Sequence, residues 1–137
     1  MARHSATRVL APILLWFAGA ALHAQWPEFR GPTGQGHSTD QGLPLEWSES
    51  KNVVWKRAVP GRGWSSPVVD GNRVWLTTAV KAPGGASLRA MAFAVDTGAP
   101  LADVEVFQSR RADALNPKNS LASPTPIVAG NRVYVHF

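Results

Sequence analysis

The chain has 137 residues, room for one domain at most, with 45% hydrophobic and 17% charged residues and a formal net charge of +5. It contains no cysteine, which excludes disulfides, thiolate metal sites, a cysteine nucleophile and a lipid-bearing lipobox within this sequence. Two basic groups, Arg3 and Arg8, sit near the start, and the rest are interleaved with acids; a nucleic-acid partner would want a clustered basic stripe, and Arg110-Arg111 is too little.

Met1 to Ala24 reads as a secretory signal peptide. Arg3, His4 and Arg8 form a positive start, Val9 to Leu22 is an apolar run interrupted by Pro12, and small residues follow. The run is too short for an ordinary membrane span. Cleavage fits after Ala24, or after Ala21 with Gly19 at the minus-three position. The alternative is an uncleaved N-terminal anchor. Either way the rest of the chain is expected outside the cytoplasm, in a periplasm or beyond, with no membrane span of its own.

Residues 25–51 form an extended segment with no strong period. Trp26-Pro27-Glu28-Phe29-Arg30-Gly31-Pro32 is turn-rich and carries two aromatic anchors. It is expected to lie over a domain face. Leu43-Pro44-Leu45-Glu46-Trp47 looks like a second anchoring piece. The glycines here make no dinucleotide fingerprint, because their spacing is wrong and no βα unit surrounds them.

Asn52 to Val59 predicts the first strand, with Val53, Trp55, Arg57 and Val59 on one face. Pro60-Gly61-Arg62-Gly63 breaks it. Ser65–Val69 and Arg73–Thr78 predict a hairpin about Gly71-Asn72, whose residues supply the positive φ of a two-residue loop. Both faces of these strands are apolar, so both need cover. Lys81 to Ser87 reads as a Pro/Gly loop. Leu88 to Val95 is a third strand, Asp96-Thr97-Gly98 a turn, and Leu101 to Phe107 a fourth strand with one face to water. Arg110 to Ser120 is a polar loop.

The hairpin then returns. Ser66-Pro67-Val68-Val69-Asp70-Gly71-Asn72-Arg73-Val74-Trp75-Leu76 recurs 59 residues later as Thr125-Pro126-Ile127-Val128-Ala129-Gly130-Asn131-Arg132-Val133-Tyr134-Val135. Six of the eleven pairs are identical and only Asp70/Ala129 differs in chemistry, which argues for a repeat architecture. Polarity rising from the second strand to the fourth suggests sheets ordered from inside to outside.

Four antiparallel strands per repeat, radially ordered, describe a propeller blade. Val69-x-Gly71-x-x-Val74-Trp75-Leu76 followed by Ala94-Val95-Asp96-Thr97-Gly98 resembles the pyrroloquinoline quinone (PQQ) repeat. Trp26-Pro27-Glu28-Phe29-Arg30-Gly31-Pro32, Trp64-Ser65-Ser66-Pro67 and Pro117-Lys118-Asn119-Ser120-x-Ala122-Ser123-Pro124-Thr125-Pro126 look like the start of exported bacterial PQQ-like β-propeller proteins. The resemblance covers Trp26 to Phe137. It implies an all-β fold, a propeller of four-stranded antiparallel blades, eight in full length. Residues 52–59 would be a clasp strand from the last blade, 65–107 the first blade and 122–137 the inner half of the second. The expectation is an N-terminal fragment of a longer protein. A second arrangement pairs Asn52–Val59 with Ser65–Val69 as a local hairpin. The sequence departs from the repeat in two ways: the turn at Asp96 is short, and the fourth strand lacks the Trp that helps pack one blade on the next. Phe107 is the candidate stand-in.

No catalytic constellation is visible. His4, His23, His37 and His136 have no partners at ligand spacing. Ser65, Ser66, Ser120 and Ser123 precede prolines at strand starts, where turn roles outweigh nucleophilic ones. Asp103 and Glu105 share the exposed face of a strand and read as solvating residues. Propellers bind ligands where loops enter the innermost strands. Here those loops offer Arg62, Trp64, Lys118, Asn119 and Ser120: a cation, an aromatic plate and amides for an anionic or polar ligand. The competing role for these residues is packing at the blade entrances.

Two functions follow from the resemblance. The first is a non-catalytic binding or scaffold propeller that takes a protein or a polar small molecule on that face. It is similar in repeat type to the propeller lipoprotein of the outer-membrane β-barrel assembly machinery, without the lipid-bearing cysteine, and needs no cofactor in this fragment. The second is a quinoprotein dehydrogenase using PQQ with calcium to oxidise alcohols or sugars. Its base, calcium carboxylates and adjacent cysteines cannot be located in these residues.

Overall fold

The computed structural model describes residues 25–110 and 118–137. The leader expected at 1–24, and residues 111–117 of the polar loop, lie outside the described residues. Among the described residues there is no helix, and the fold is two antiparallel sheets. The larger has five strands in sequence order: β1 (Gln25–Trp26), β2 (Val68–Asp70), β3 (Arg73–Ala82), β4 (Gly85–Ala94) and β5 (Pro100–Ser109). The smaller pairs β6 (Ile127–Ala129) with β7 (Arg132–Tyr134).

The repeated hairpins form as expected. Asp70 pairs with Arg73 and Ala129 with Arg132, each across a two-residue loop. One detail differs. Gly71 and Gly130 adopt φ of +56° and +58°, but neither Asn72 nor Asn131 has a positive φ. Glycine at the first central position is enough to turn this chain.

The stretch expected to be a loop at Lys81–Ser87 is largely strand. Only Pro83 and Gly84 turn, and Ala82 pairs directly with Gly85. Proline sets φ at the first central position and Gly84 supplies φ +74° at the second. A tight turn lets β3 and β4 run ten residues each. The Pro/Gly-rich composition had suggested a wider break.

β4 is the centre of the core. Ala86, Leu88, Ala90, Met91, Ala92, Phe93 and Ala94 are all buried, so both of its faces are covered. Taking Leu88, Met91 and Phe93 from water stabilises the fold by about 1.5–3 kcal/mol each. Cross-strand pairing puts Val69, Val74, Leu76, Thr78, Met91 and Phe93 on one face. Val68, Trp75, Thr77, Ala90 and Ala92 share the other.

Each face has its own cover. Thr77 and Thr78 are adjacent on β3, point to opposite faces and are each 1% exposed. The Thr78 hydroxyl donates to the Pro60 carbonyl at 2.6 Å, while that of Thr77 donates to the Pro124 carbonyl at 3.3 Å. The chain before the hairpin therefore covers one face, and the second repeat covers the other.

Three expectations need correction. Asn52–Val59 is not a strand: it is extended but joins no ladder, neither with Ser65–Val69 nor elsewhere among the described residues. Its side chains hold it instead. Leu43, Leu45 and Trp47 do not anchor; they are 61%, 94% and 64% exposed. The sheet also has a fifth strand where four were expected, because Gln25–Trp26 adds to the edge of β2.

The fourth expected strand, β5, is more exposed than alternation implied. Bulges between Leu88/Arg89 and Ala92/Phe93 shift its register. Leu101, Val104, Val106 and Phe107 are each about half exposed. The carboxylates Asp103 and Glu105 share a face with Arg89.

Candidate functional site

The entrance loop Gly61–Ser65 is shaped by a need of β3. Its pairing with β2 stops at Trp75, so the outer edge from Leu76 onward lacks a strand. The loop supplies partners one at a time. Arg62 and Ala79 exchange backbone hydrogen bonds of 2.9 and 3.0 Å. The Ser65 hydroxyl accepts from the Thr77 amide at 3.0 Å and donates to the Thr77 carbonyl at 3.3 Å. Residue 63 passes so close to β3 that a Cβ would lie 2.5 Å from the Thr77 carbonyl oxygen; only glycine fits there.

The second entrance loop is built around Ala122. The Ala122 carbonyl accepts from both the Trp64 amide (3.0 Å) and the Ser65 amide (3.1 Å). Ser66 donates its amide to the Thr125 hydroxyl at 3.1 Å. Those two residues are equivalent in the repeat, so the copies dock with like positions side by side. Ala122 is fully buried and Ser120 nearly so.

The five candidate residues fall into two groups. The Arg62 guanidinium lies 5.4 Å from the Trp64 ring centroid, a cation–π arrangement, and Trp64 is 48% exposed. Asn119 and Ser120 are occupied within their own turn. Asn119 Oδ1 accepts from the Ser120 amide and the Ser123 hydroxyl. The Ser120 and Ser123 hydroxyls are 3.0 Å apart, and Ser120 Oγ accepts from the Ala122 amide. These polar groups shape the loop that presents Ala122. Lys118 lies at the exposed start of the same loop.

A hollow of about 200 Å³ beside this entrance is lined by Val59, Gly61, Gly63, Ser65, Leu76, Thr77 and Thr78. That is below the usual range for a small-molecule site, roughly 300–1,000 Å³. Among the described residues, no three His, Asp or Glu side chains come together as a metal would require. The described residues therefore do not offer the carboxylate set that the calcium of the quinone alternative would need.

Sequence reasoning missed the contact that docks the extended segment. Trp55 Nε1 donates to the Val95 carbonyl at 2.7 Å, and Arg57 Nε donates to the Gly98 carbonyl at 3.0 Å. The Trp55 ring lies against Gly98, where a Cβ would sit 2.6 Å from ring carbons. Gly98 also has φ +65°, so it is glycine for two reasons. The signal was present, since Trp55 and Arg57 share one face of an alternating stretch, but their target could not be read from spacing. Phe107 on β5 meets Phe137 edge-to-face, with 5.5 Å between ring centroids.

One charged cluster bridges β4 and β5. Arg89 pairs with Asp103 at 2.7 Å, approaches Glu105 at 3.7 Å and donates to Ser87 Oγ at 3.1 Å. The Ser87 hydroxyl donates to Glu105, and Gln108 donates to its other oxygen. These hydrogen bonds, Ser87 first, hold the Glu105 carboxyl below its ordinary range. The Asp103 bond raises the Arg89 pKa further. Every member has a partner, so the cluster ties β4 to β5 and offers no poised acid or base.

No helix among the described residues is long and apolar enough to cross a membrane. No protein-family model, curated protein or solved structure matches this chain.

Proposed function

We propose that the two sheets are neighbouring blades of an exported PQQ-like-repeat β-propeller, eight-bladed in full, that serves as a binding or scaffold module. The observation that carries this reading is the double cover of the large sheet. Thr77 and Thr78 bind carbonyls from two different stretches on its two faces. A sandwich sheet has one buried face and one wet face; a blade is enclosed by a blade on each side. Trp55 against Gly98 lays the extended, ladder-free Asn52–Val59 along the β4–β5 turn, where an adjoining blade would meet it. The side-by-side docking of Ser66 and Thr125 supports a rotation that superposes one repeat on the next.

On this reading the ligand face is the entrance-loop face. The exposed Arg62–Trp64 pair suits an anionic or polar group on a protein or small molecule. The hydroxyls and amides beside it hold loop shape instead of reacting groups. Recognition without catalysis is the role this supports.

The test uses the protein from its complete reading frame. Single-particle images should show a closed ring of blades. Added PQQ and calcium should produce neither bound-quinone absorbance nor dye reduction with alcohols or sugars. A particle without radial blades overturns the fold reading. Dye reduction with a ring overturns the binding-module reading in favour of the dehydrogenase.

A further inference from the structure

The segment Gln25–Phe29 touches both sheets at the same point of the repeat. The outer edge of β2 would otherwise present unpaired backbone groups; Gln25 and Trp26 take it, opposite Asp70 and Val69. One residue later the Pro27 carbonyl accepts the Val128 amide at 2.8 Å. Val69 and Val128 are equivalent positions, 59 residues apart. Glu28 and Phe29 then face Ser123, Thr125 and Ile127 across an open groove of about 360 Å³. The segment thus steps from β2 to β6 and continues toward the entrance loops.

Local features hold it in this course. The Trp26 ring lies against Gly31, where a Cβ would be 2.6 Å from the ring. The Gly31 amide donates to the Glu28 carbonyl at 2.9 Å, and the Gly36 amide to the Arg30 carbonyl at 2.8 Å. The Arg30 guanidinium lies 5.4 Å from the Phe29 centroid. A tight, cross-braced turn follows directly on the extended residues.

We infer that Gln25–Phe29 is an axial filler: the chain's own segment occupies the channel side of two consecutive blades and closes that wall to ligands. This rests on the propeller reading, in which the open edges of β2 and β6 face the axis. The channel beside these blades is then not available to a planar cofactor or an extended peptide unless the segment is displaced. Ligands are left the entrance-loop face, where Arg62 and Trp64 stand.

These 137 residues hold no native cysteine to compete with an introduced pair. In the full-length protein, Q25C/D70C should oxidise to an intramolecular disulfide, reporting the β1–β2 pairing. In a second variant, G31V should push the Trp26 ring aside, and the Val128 amide should then exchange with solvent at least tenfold faster while that of Val133 does not change. Imaging of the cross-linked protein should place the segment inside the ring. Failure to cross-link, or Val128 exchange equally fast before and after the substitution, overturns the filler. A ring with the segment outside its axis also overturns it and leaves the propeller standing. A cross-link in a protein with no ring removes the propeller and, with it, the axial role.

Discussion

Substituting Gly98 by alanine tests the contact that holds the extended segment to the blade. The new methyl group faces two costs. At φ +65° an L-residue is strained by about 1–2 kcal/mol. The added carbon would also sit 2.6 Å from the Trp55 ring, so the ring must leave. Expelling it forfeits the indole hydrogen bond to Val95, about 1 kcal/mol net, and the half-buried ring's packing, about 1 kcal/mol more. G98A should therefore cost about 3–4 kcal/mol. W55A alone should cost about 2 kcal/mol, the same hydrogen bond and packing. In the double variant the ring is already gone, so only backbone strain is added and the total stays near 3–4 kcal/mol. The cycle should show about 2 kcal/mol of sub-additivity, read from urea unfolding followed by tryptophan fluorescence. Additivity within about 0.5 kcal/mol would mean that Trp55 and Gly98 do not touch in solution, and the docking of residues 52–59 would fall with it.

Three further outcomes are expected. T78V should destabilise more than T77V, within the roughly 1–3 kcal/mol range for a stranded buried acceptor, because the Thr78 bond is 2.6 Å and the Thr77 bond 3.3 Å; equal effects in thermal unfolding would argue that the two hydroxyl bonds do not differ in strength. Glu105 has a lowered folded-state pKa, so its contribution is present above the unfolded carboxyl value of about 4.3 and is lost as pH falls through the lower folded value. E105Q should flatten the acid limb of stability below the ordinary carboxyl range, and an unchanged limb would show that the Ser87 and Arg89 contacts are not maintained. G85A should be far worse than G84A, since a Cβ at residue 85 collides with the Ser109 carbonyl oxygen while residue 84 faces open space. G84A should show only the left-handed strain of about 1–2 kcal/mol; similar melting temperatures for the two would refute the close β4–β5 approach.

Much of this was legible because it is local. A two-residue turn needs glycine where φ is positive, so Gly71 and Gly130 announce themselves, and the 59-residue repeat pairs them. Apolar residues on both faces of the strands required cover on both sides, and Thr77 and Thr78 have it. Pro83-Gly84 misled because one dipeptide serves either a wide loop or a tight turn; the register of ten paired residues on each side decided for the turn. Of the candidate site residues, the chemistry of Arg62 and Trp64 was readable from type. The turn role of Ser120 was readable as well, but the tie of Asn119 to it was not, since that depends on Ser123 folding back toward both.

Sequence alone determined that the described residues are all-β, that the hairpin occurs twice, and which residues turn it. Those properties come from φ preferences and alternating polarity, which act between near neighbours. Tertiary structure decided what covers each face and each edge. Trp55 meets Gly98 across 43 positions, and Pro27 meets Val128 across 101. Such contacts arise because an open strand edge and an apolar face must find partners wherever the chain can bring them. No local pattern in the sequence says which segment will arrive.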